Sequence, residues 1–278
     1  MKKISRRSFM AAAAVSVAAL AMTACGGSAS SAASSVASSA ASSEAASSAA
    51  AAELTTVEAG KLTMATNATF PPYEMTTDSG EIEGIDVDTA KAIAEKLGLE
   101  LQIDDMEFDA ALLSVQQGKA DIVMAGVTVT DERKAVMDFS DSYATGIQSI
   151  IVPNDSDIAS PDDLAGKKIG TQRGTTGYIY CSDDFGEDSV VAYDSGLTAV
   201  QALNNGQVDA VVIDNAPATE YVAANPGLKV LDTSYAEEDY AIGMAKGSAL
   251  EDAVNKALEE LKADGTLQAI VDKYINAN

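Results

Sequence analysis

Residues 113–124, LSVQQGKADIVM, and residues 203–213, LNNGQVDAVVI, are two versions of one sequence phrase. Each version reads as the end of a helix, a glycine, an aspartate three residues later, and a short buried strand. Each copy also stands at the same stage of its own series of strands and helices. The repeated phrase therefore predicts two similar α/β lobes.

Strands and helices alternate on both sides of these phrases. In the first half of the chain, strands are predicted at residues 62–66, 99–103 and 122–125, and helices at residues 86–97 and 109–117. In the second half, strands are predicted at residues 168–171 and 210–213. Alternation of strands with helices of this length is typical of βαβ units, so we predict parallel sheets covered by helices.

Two β-prone segments, residues 147–152 and 240–245, are predicted to connect the lobes. The helices predicted at residues 250–262 and 267–275 need a sheet to cover, so the chain must return to the first lobe before them. A two-strand hinge of this kind leaves a cleft between facing strand ends. Because α/β sheets bind ligands at the carboxyl ends of their strands, we expect a ligand in that cleft.

The predicted architecture is an α/β fold of two lobes joined by a two-strand hinge. Lobe 1 would comprise residues 61–146 and 242–278, and lobe 2 residues 147–241. Of the 278 residues, 47% are hydrophobic and 22% are charged, which is ordinary for a protein that buries a core.

The charge and the residue types that are missing exclude several functions. There are 42 acidic and 18 basic residues, and the net charge of −24 repels nucleic acid. The chain has no histidine, which removes Ser-His-Asp and Cys-His catalysis and the HExxH zinc motif. Two cysteines cannot build a four-thiolate site. We therefore expect no nucleic-acid partner, no metal and no cofactor.

Residues 1–24 have the pattern of an export signal. Four basic residues, Lys2, Lys3, Arg6 and Arg7, precede an apolar run over residues 9–22 that suits a signal sequence better than a membrane span. The small residues before Cys25 resemble the lipobox of bacterial lipoproteins, which implies cleavage before Cys25 and its lipidation. An ordinary secretory signal with a chance cysteine is the alternative, and the twin-arginine resemblance of residues 5–10 leaves the export route open.

Residues 25–60 are predicted to be the lipidated cysteine followed by a tether. Residues 26–52 contain 12 alanines and 11 serines, too little apolar surface to fold. As a flexible coil this segment would reach about 30 Å. After cleavage the net charge would be −28. With Cys25 lipidated, Cys181 would be the one free thiol, and we expect it to be a small buried residue. The predicted location is the outer face of the bacterial cytoplasmic membrane.

Several polar and aromatic side chains follow predicted strands. In residues 128–133, TVTDER, Arg133 opposes the dipole of a helix that Thr130 would cap. An ion pair with Asp131 or Asp138 would explain it, and so would a bound carboxylate, which guanidinium matches with two hydrogen bonds. Residues 174–177, GTTG, open a helix after a strand, a general anion-binding geometry.

Other candidates have structural alternatives that the residues alone leave open. Phe70 and Phe108 would pack in the core as readily as against a ligand, and Asp214 would serve as a helix N-cap at the end of a buried strand.

Seven motifs together resemble the solute-binding proteins of polar amino-acid ABC transporters, family 3. They are residues 68–74 (ATFPPYE), 84–88 (GIDVD), 118–121 (GKAD), 128–133 (TVTDER), 138–141 (DFSD), 161–170 (PDDLAGKKIG) and 174–177 (GTTG). The resemblance covers residues 61–278 nearly continuously. It implies the two-lobe type II periplasmic-binding-protein fold and favours the functional interpretation of Arg133.

The resemblance also implies roles for individual residues. Arg133 would grip the α-carboxylate of the ligand, with help from the Gly126 amide, Thr128 and Thr176, and Asp214 would take the α-ammonium group. Phe70 and Phe108 would be the aromatic pair on either side of the ligand side chain. Asn67 and Asp86 would contact the polar end of that side chain, and Gln172 and Arg173 would lie on the facing rim of the cleft. Asn67 stands where several binders of basic amino acids have aspartate, which leaves the ligand open.

The implied function is capture without catalysis. A monomer would bind a polar or basic L-amino acid and deliver it to an ABC permease. An acidic ligand is not expected, because Arg173 is the one further candidate cation and Asp86 would repel a carboxylate. One alternative is an enzyme of the same fold, such as a prephenate-type dehydratase or a peptidoglycan-cleaving protein, that uses Glu74 or Asp86. The other is the sensory module of a receptor, which is less expected because no kinase or membrane segment follows residue 278.

Overall fold

The structure is a computed structural model that describes residues 54–275. The predicted signal peptide, the lipidation site Cys25 and the tether up to residue 53 lie outside the described residues, as do residues 276–278. Within the described range, no helix combines the length and the apolar character that crossing a membrane requires.

The described residues form strands and helices that alternate along most of the chain. The strands are β1 (Lys61–Thr66), β2 (Thr69–Phe70), β3 (Glu74–Thr76), β4 (Ile82–Glu83), β5 (Glu100–Asp105), β6 (Ile122–Val123), β7 (Met137–Phe139), β8 (Ala144–Pro153), β9 (Ile169–Gln172), β10 (Val190–Tyr193), β11 (Ala210–Asp214), β12 (Leu228–Val230), β13 (Ala236–Tyr240) and β14 (Gly243–Ala245). The helices are α1 (Ile85–Leu97), α2 (Phe108–Gln116), α3 (Asp131–Val136), α4 (Thr176–Phe185), α5 (Gly196–Asn204), α6 (Asn215–Ala223), α7 (Glu251–Ala263) and α8 (Thr266–Tyr274), with short 3₁₀ helices at Pro161–Leu164 and Glu187–Ser189.

The first lobe is built on a five-stranded sheet in the order β5-β1-β6-β14-β7. β1 pairs in parallel with β5 and β6, whereas β14 pairs antiparallel with β6 and β7. Leu62 and Met64 of β1 pack with residues of α1 and α7, while Ala65 packs with residues of α2. Because both faces are covered, the central strands β1, β6 and β14 are buried along most of their length.

The second lobe is built on a six-stranded sheet in the order β10-β9-β11-β8-β12, with β13 also paired to β8. β9, β10 and β11 are parallel, and β8 runs antiparallel to β11, β12 and β13. A small third sheet, β2-β3-β4, follows β1.

The repeated phrase forms the same structure in both lobes. Gly118 and Gly206 end α2 and α5 with φ angles of 66° and 67°, a left-handed conformation that suits glycine. The aspartate three residues later then accepts a backbone hydrogen bond at the neighbouring parallel strand: Asp121 from Thr63 at 2.8 Å and Asp209 from Lys168 at 2.7 Å. The phrase thus ends a helix, starts a strand and holds that strand to its neighbour.

The hinge agrees with one of its two predicted crossings. Residues 240–245 contain a connection between the lobes, because β13 ends at Tyr240 in the second sheet and β14 begins at Gly243 in the first. Residues 147–152 lie within β8, wholly in the second sheet. The sheets are connected by residues 140–143 and 241–242. The lobe boundaries at 146/147 and 241/242 stay predictions.

The two connecting segments are hydrogen-bonded to each other. Ser140 N donates to Ile242 O at 2.9 Å and Tyr143 N to Tyr240 O at 2.9 Å. The Ser140 hydroxyl accepts a further bond from Ile242 N at 3.0 Å. The hinge therefore consists of two chain segments that are paired by hydrogen bonds.

Candidate functional site

Strands from both lobes end at one cavity of about 330 Å³. Its lining is Asn67, Phe70, Glu74, Phe108, Ala125, Gly126 and Thr128, then Arg133, Gln172, Thr175, Thr176 and Asp214. The residues after β1 and β6 and the ends of β9 and β11 meet here, as expected for the carboxyl ends of parallel strands. Because both lobes supply the lining, movement of one lobe relative to the other would open or close this cavity.

Arg133 is buried, with 8% of its surface exposed. Its Nη1 donates to Thr128 O at 2.7 Å, and its Nη2 donates across the cleft to Gly174 O at 3.1 Å. The guanidinium carbon lies 5.4 Å from the centre of the Phe108 ring. Burial lowers the pKa of Arg133, and the charge of Glu238 acts in the opposite direction. Arg133 is therefore a desolvated cation that no carboxylate contacts directly in the described part of the chain.

Asp214 faces Arg133 from the other lobe, at the N-terminus of α6. Its Oδ2 accepts from Gln148 Nε2 at 2.8 Å and its Oδ1 from the Tyr240 hydroxyl. Burial, with a smaller contribution from the charge of Glu238, raises the pKa of Asp214 to about 7. A cationic group beside Asp214 would lower this pKa again, because an opposite charge favours the ionised form.

Glu238 on β13 is a buried acidic residue that lies outside the cavity lining but contacts residues of it, and it was not predicted from the sequence. Its Oε2 accepts from Thr128 and Thr176, one on each lobe, at 3.0 Å each, and from Gln148 Nε2 at 3.0 Å. Along β13 Glu238 and Tyr240 are buried and Glu237 and Asp239 are exposed, but the sequence AEEDY itself shows no such alternation. Glu238 thus contacts cavity residues of both lobes.

Comparison with known proteins places this geometry in a family. A model of the bacterial extracellular solute-binding proteins, family 3, matches residues 62–277. The chain belongs to this family. It is 33% identical over 225 residues to the L-cystine-binding protein TcyJ of Escherichia coli K12, covering 80% of this chain and 85% of that protein. It is 34% identical over 272 residues to a probable histidine-binding protein of Neisseria gonorrhoeae, covering 95% and 94%.

Solved structures agree on the fold of this family 3 protein. An ancestral arginine-binding protein bound to arginine is 43% identical with a TM-score of 0.74, covering 78% of this chain and 99% of that one. One bound to glutamine is 42% identical with a TM-score of 0.73, covering 78% and 98%. The predicted family and its two-lobe α/β fold are confirmed, and the relatives are solute-binding proteins and not enzymes.

The structure brings nine of the eleven predicted site residues of this solute-binding protein to the cavity lining. They are Asn67, Phe70, Phe108, Gly126, Thr128, Arg133, Gln172, Thr176 and Asp214. Asn67 and Gln172 also contact each other across the cleft, with Gln172 Nε2 donating to Asn67 Oδ1 at 2.9 Å. Their roles toward a ligand stay predictions.

Asp86 is not part of the lining, which corrects its predicted place in the site. It is fully buried behind the cavity wall, where its Oδ2 accepts from Gly126 N at 2.9 Å and from the Tyr143 hydroxyl at 2.8 Å. The Gly126 amide therefore donates to Asp86, and its predicted role at the ligand carboxylate stays a prediction. Gly126 itself has a φ of 56°, and a Cβ there would lie 2.8 Å from the Phe70 ring, so only glycine fits.

Arg173 also lies outside the lining, which corrects its prediction as a pocket residue. Its side chain is 53% exposed and pairs with Asp194 at 3.3 Å. Successive side chains at the end of a strand point to opposite sides. Since Gln172 is directed into the cavity, Arg173 is directed away from it.

Glu74, Ala125 and Thr175 line the cavity but were not among the predicted binding residues. Glu74 is the notable one, because it is fully buried and acidic. It stands on β3, and the motif ATFPPYE of residues 68–74 was the signal that pointed to it. The cavity lining therefore contains one cation, Arg133, and two carboxyl groups, Glu74 and Asp214.

Proposed function

We propose that this protein captures a polar or basic L-amino acid between its lobes and delivers it to the permease of an ABC importer. The observation that carries the proposal is that Arg133 and Asp214, on opposite lobes, line the same buried cavity. An α-amino acid bears a carboxylate and an ammonium group on one carbon, so this pair of opposite charges matches both ends of the zwitterion.

Binding would begin on the first lobe and end with closure. The ligand carboxylate takes the Arg133 donors that now bond to the Thr128 and Gly174 carbonyls. The second lobe then brings Asp214 to the ammonium group. The ligand contacts both lobes only in the closed form, so binding favours closure by a hinge motion. The closed monomer is the form that would dock on the permease.

The charges of the lining support a polar or basic side chain. With Arg133 assigned to the α-carboxylate, an acidic side chain would be buried beside Glu74 without a cation, which is costly. Arg173 supplies none, because it is exposed and paired with Asp194. Relatives named for arginine, histidine and cystine binding, and the related structures bound to arginine and glutamine, support the same class of ligand.

We expect a thermal-shift panel of the twenty amino acids and cystine to identify polar or basic ligands that raise the unfolding temperature. A ligand at about 100 times its Kd should add roughly 2.7 kcal/mol to the free energy of unfolding. The bound solute, recovered after long incubation, should be unchanged by mass spectrometry. Stabilisation by none of these compounds would refute amino-acid capture, glutamate or aspartate as the best ligand would refute the polar or basic class, and turnover would favour an enzyme.

We further propose that Cys25 anchors the protein to the outer face of the bacterial cytoplasmic membrane by a lipid. The signal pattern of residues 1–24, the small residues before Cys25 and the tether that follows support this. A tether of this kind keeps the lobes near the permease without fixing their orientation.

Replacement of Cys25 by alanine is expected to move the protein from the membrane fraction to the medium. The reason is that the variant loses the thiol that would carry the lipid. Cys181→Ala is the matched control, because Cys181 is buried in lobe 2 and should not affect anchoring. Immunoblots of membrane and medium fractions measure the outcome. A Cys25→Ala protein that stays with membranes after a high-salt wash would contradict the anchor.

A further inference from the structure

Two carboxyl groups are fully buried at one side of the cavity: Glu74, which forms its floor, and Asp86, which lies behind it. Taken as ionised carboxylates, both oxygens of Glu74 and Oδ1 of Asp86 accept no hydrogen bond from any donor in the described chain. Buried polar atoms are nearly always hydrogen-bonded, so three neighbouring unpartnered oxygens require an explanation. Glu74 lines the cavity itself, so it can contact whatever binds there.

One shared proton between the two groups satisfies two of these three oxygens. The Glu74 and Asp86 side chains are within hydrogen-bonding reach of each other. Two adjacent carboxylates in a buried site cannot both stay ionised at little cost. Asp86 is the better anion, because it already accepts from Gly126 N and the Tyr143 hydroxyl. Glu74 is then the neutral acid, and its O–H donates to Asp86.

The groups around the pair support this distribution of charge. The charges of Asp105 at the end of β5 and Asp214 at the end of β11 raise the pKa of Glu74, as the charge of Asp86 does. The other titratable groups that face the pair are the hydroxyls of Tyr73, Tyr143 and Tyr221. Burial, followed by the charge of Asp86, holds the pKa of Glu74 well above its ordinary value, and no cation among the described residues counteracts this.

We propose that Glu74 and Asp86 share one proton, and that Glu74 releases this proton to solvent when a ligand with a cationic side chain binds but keeps it when the side chain is neutral. This inference rests on the proposed amino-acid capture. A guanidinium or ammonium group beside Glu74 pairs with the carboxylate that remains. A carboxamide or ureido group instead donates to the carbonyl oxygen of the protonated acid. The same floor then accommodates both classes of side chain.

The consequence is a preference that depends on pH. The protein with a cationic ligand holds one proton fewer than the free protein, so affinity for that ligand rises with pH until the pH passes the pKa of free Glu74. A neutral ligand leaves the proton in place, so this effect is absent for it. Asp214 faces the α-ammonium group common to all amino acids, and its contribution cancels when two ligands are compared. The preference for cationic over neutral ligands therefore grows by up to about 10-fold for each pH unit.

L-Arginine and its uncharged isostere L-citrulline test this inference. Calorimetric titrations in buffers of different ionisation enthalpy, from acidic to mildly alkaline pH, count the protons released by each. We expect arginine to release up to one proton more than citrulline, and the ratio of the two affinities to rise with pH. In infrared difference spectra, arginine should remove a carboxylic-acid C=O band that citrulline leaves in place.

Glu74→Gln should abolish the extra proton release, the infrared band and the pH dependence of the ratio. Glu81→Gln, an exposed residue in the same region, is the matched control and should behave as the wild type. Equal proton release by the two ligands in the wild type would overturn the inference even if the variant failed to fold. Failure of both arginine and citrulline to bind would also overturn the shared-proton inference. The proposed capture of an amino acid is tested separately, by the thermal-shift panel.

Discussion

Arg133→Ala is expected to lower the affinity for the amino-acid ligand by ~30-fold to several thousand-fold. Loss of one partner of a buried, hydrogen-bonded charge pair typically costs about 2–5 kcal/mol, which converts to that range of Kd. Arg133 is the one cation of the lining, and its guanidinium is already oriented by the Phe108 ring and by carbonyls from both lobes. Calorimetry with the ligand that the panel identifies measures the loss.

Arg133→Lys should also bind weakly, because one ammonium group cannot form the two parallel hydrogen bonds of a guanidinium. Arg173→Ala is the matched control: it removes an arginine from the same rim, but one that is exposed and paired with Asp194. Its affinity should equal that of the wild type. A near-normal Kd in Arg133→Ala, with the fold intact by circular dichroism, would refute the assignment of the carboxylate site.

Asp214→Ala is expected to leave weak binding but to abolish ligand-induced closure. The reason is that Asp214 is the residue of the second lobe that would bind the ligand's ammonium group, and without it the ligand would no longer favour the closed form. The measurement is the decrease in radius of gyration on ligand addition by X-ray scattering, which Asp214→Ala should not show. Asp194→Asn, an exposed carboxylate on the same lobe, should close normally. Closure of Asp214→Ala at saturating ligand would contradict this role.

The pH dependence of binding follows from the same residue. Because burial raises the pKa of Asp214 to about 7, part of the free protein carries a proton there at neutral pH. The ammonium group must displace that proton, so the affinity for a neutral ligand should fall as the pH drops below about 7. Asp214→Asn should bind weakly with no such dependence. A pH-independent Kd for citrulline in the wild type would argue against an ammonium contact at Asp214.

The order of elements could be predicted because its signals are local. Apolar periodicity, the glycine that ends a helix and the aspartate that begins a strand act within a dozen residues. The structure accordingly repeats this unit at Asp121 and Asp209. The hinge was predicted only in part, because residues 241–242 lie inside the β-prone segment 240–245 but residues 147–152 lie within a single sheet. Residues 240–245 have β propensity throughout, but propensity carries no information about which sheet supplies the partner, and the segment divides between two sheets.

The sequence by itself determined the two-lobe α/β fold, the family and the residues at strand ends, because side-chain position after a strand follows from chain order. Only the tertiary structure decided what each of these residues contacts. Asp86 holds the Gly126 loop and lies behind the cavity wall, and Arg173 faces solvent. Glu74 enters the cavity lining from β3, and Glu238 on β13 contacts lining residues of both lobes. The burial and the charge of each cavity residue depend on neighbours from segments that are distant in sequence. Both are therefore decided only when the chain folds.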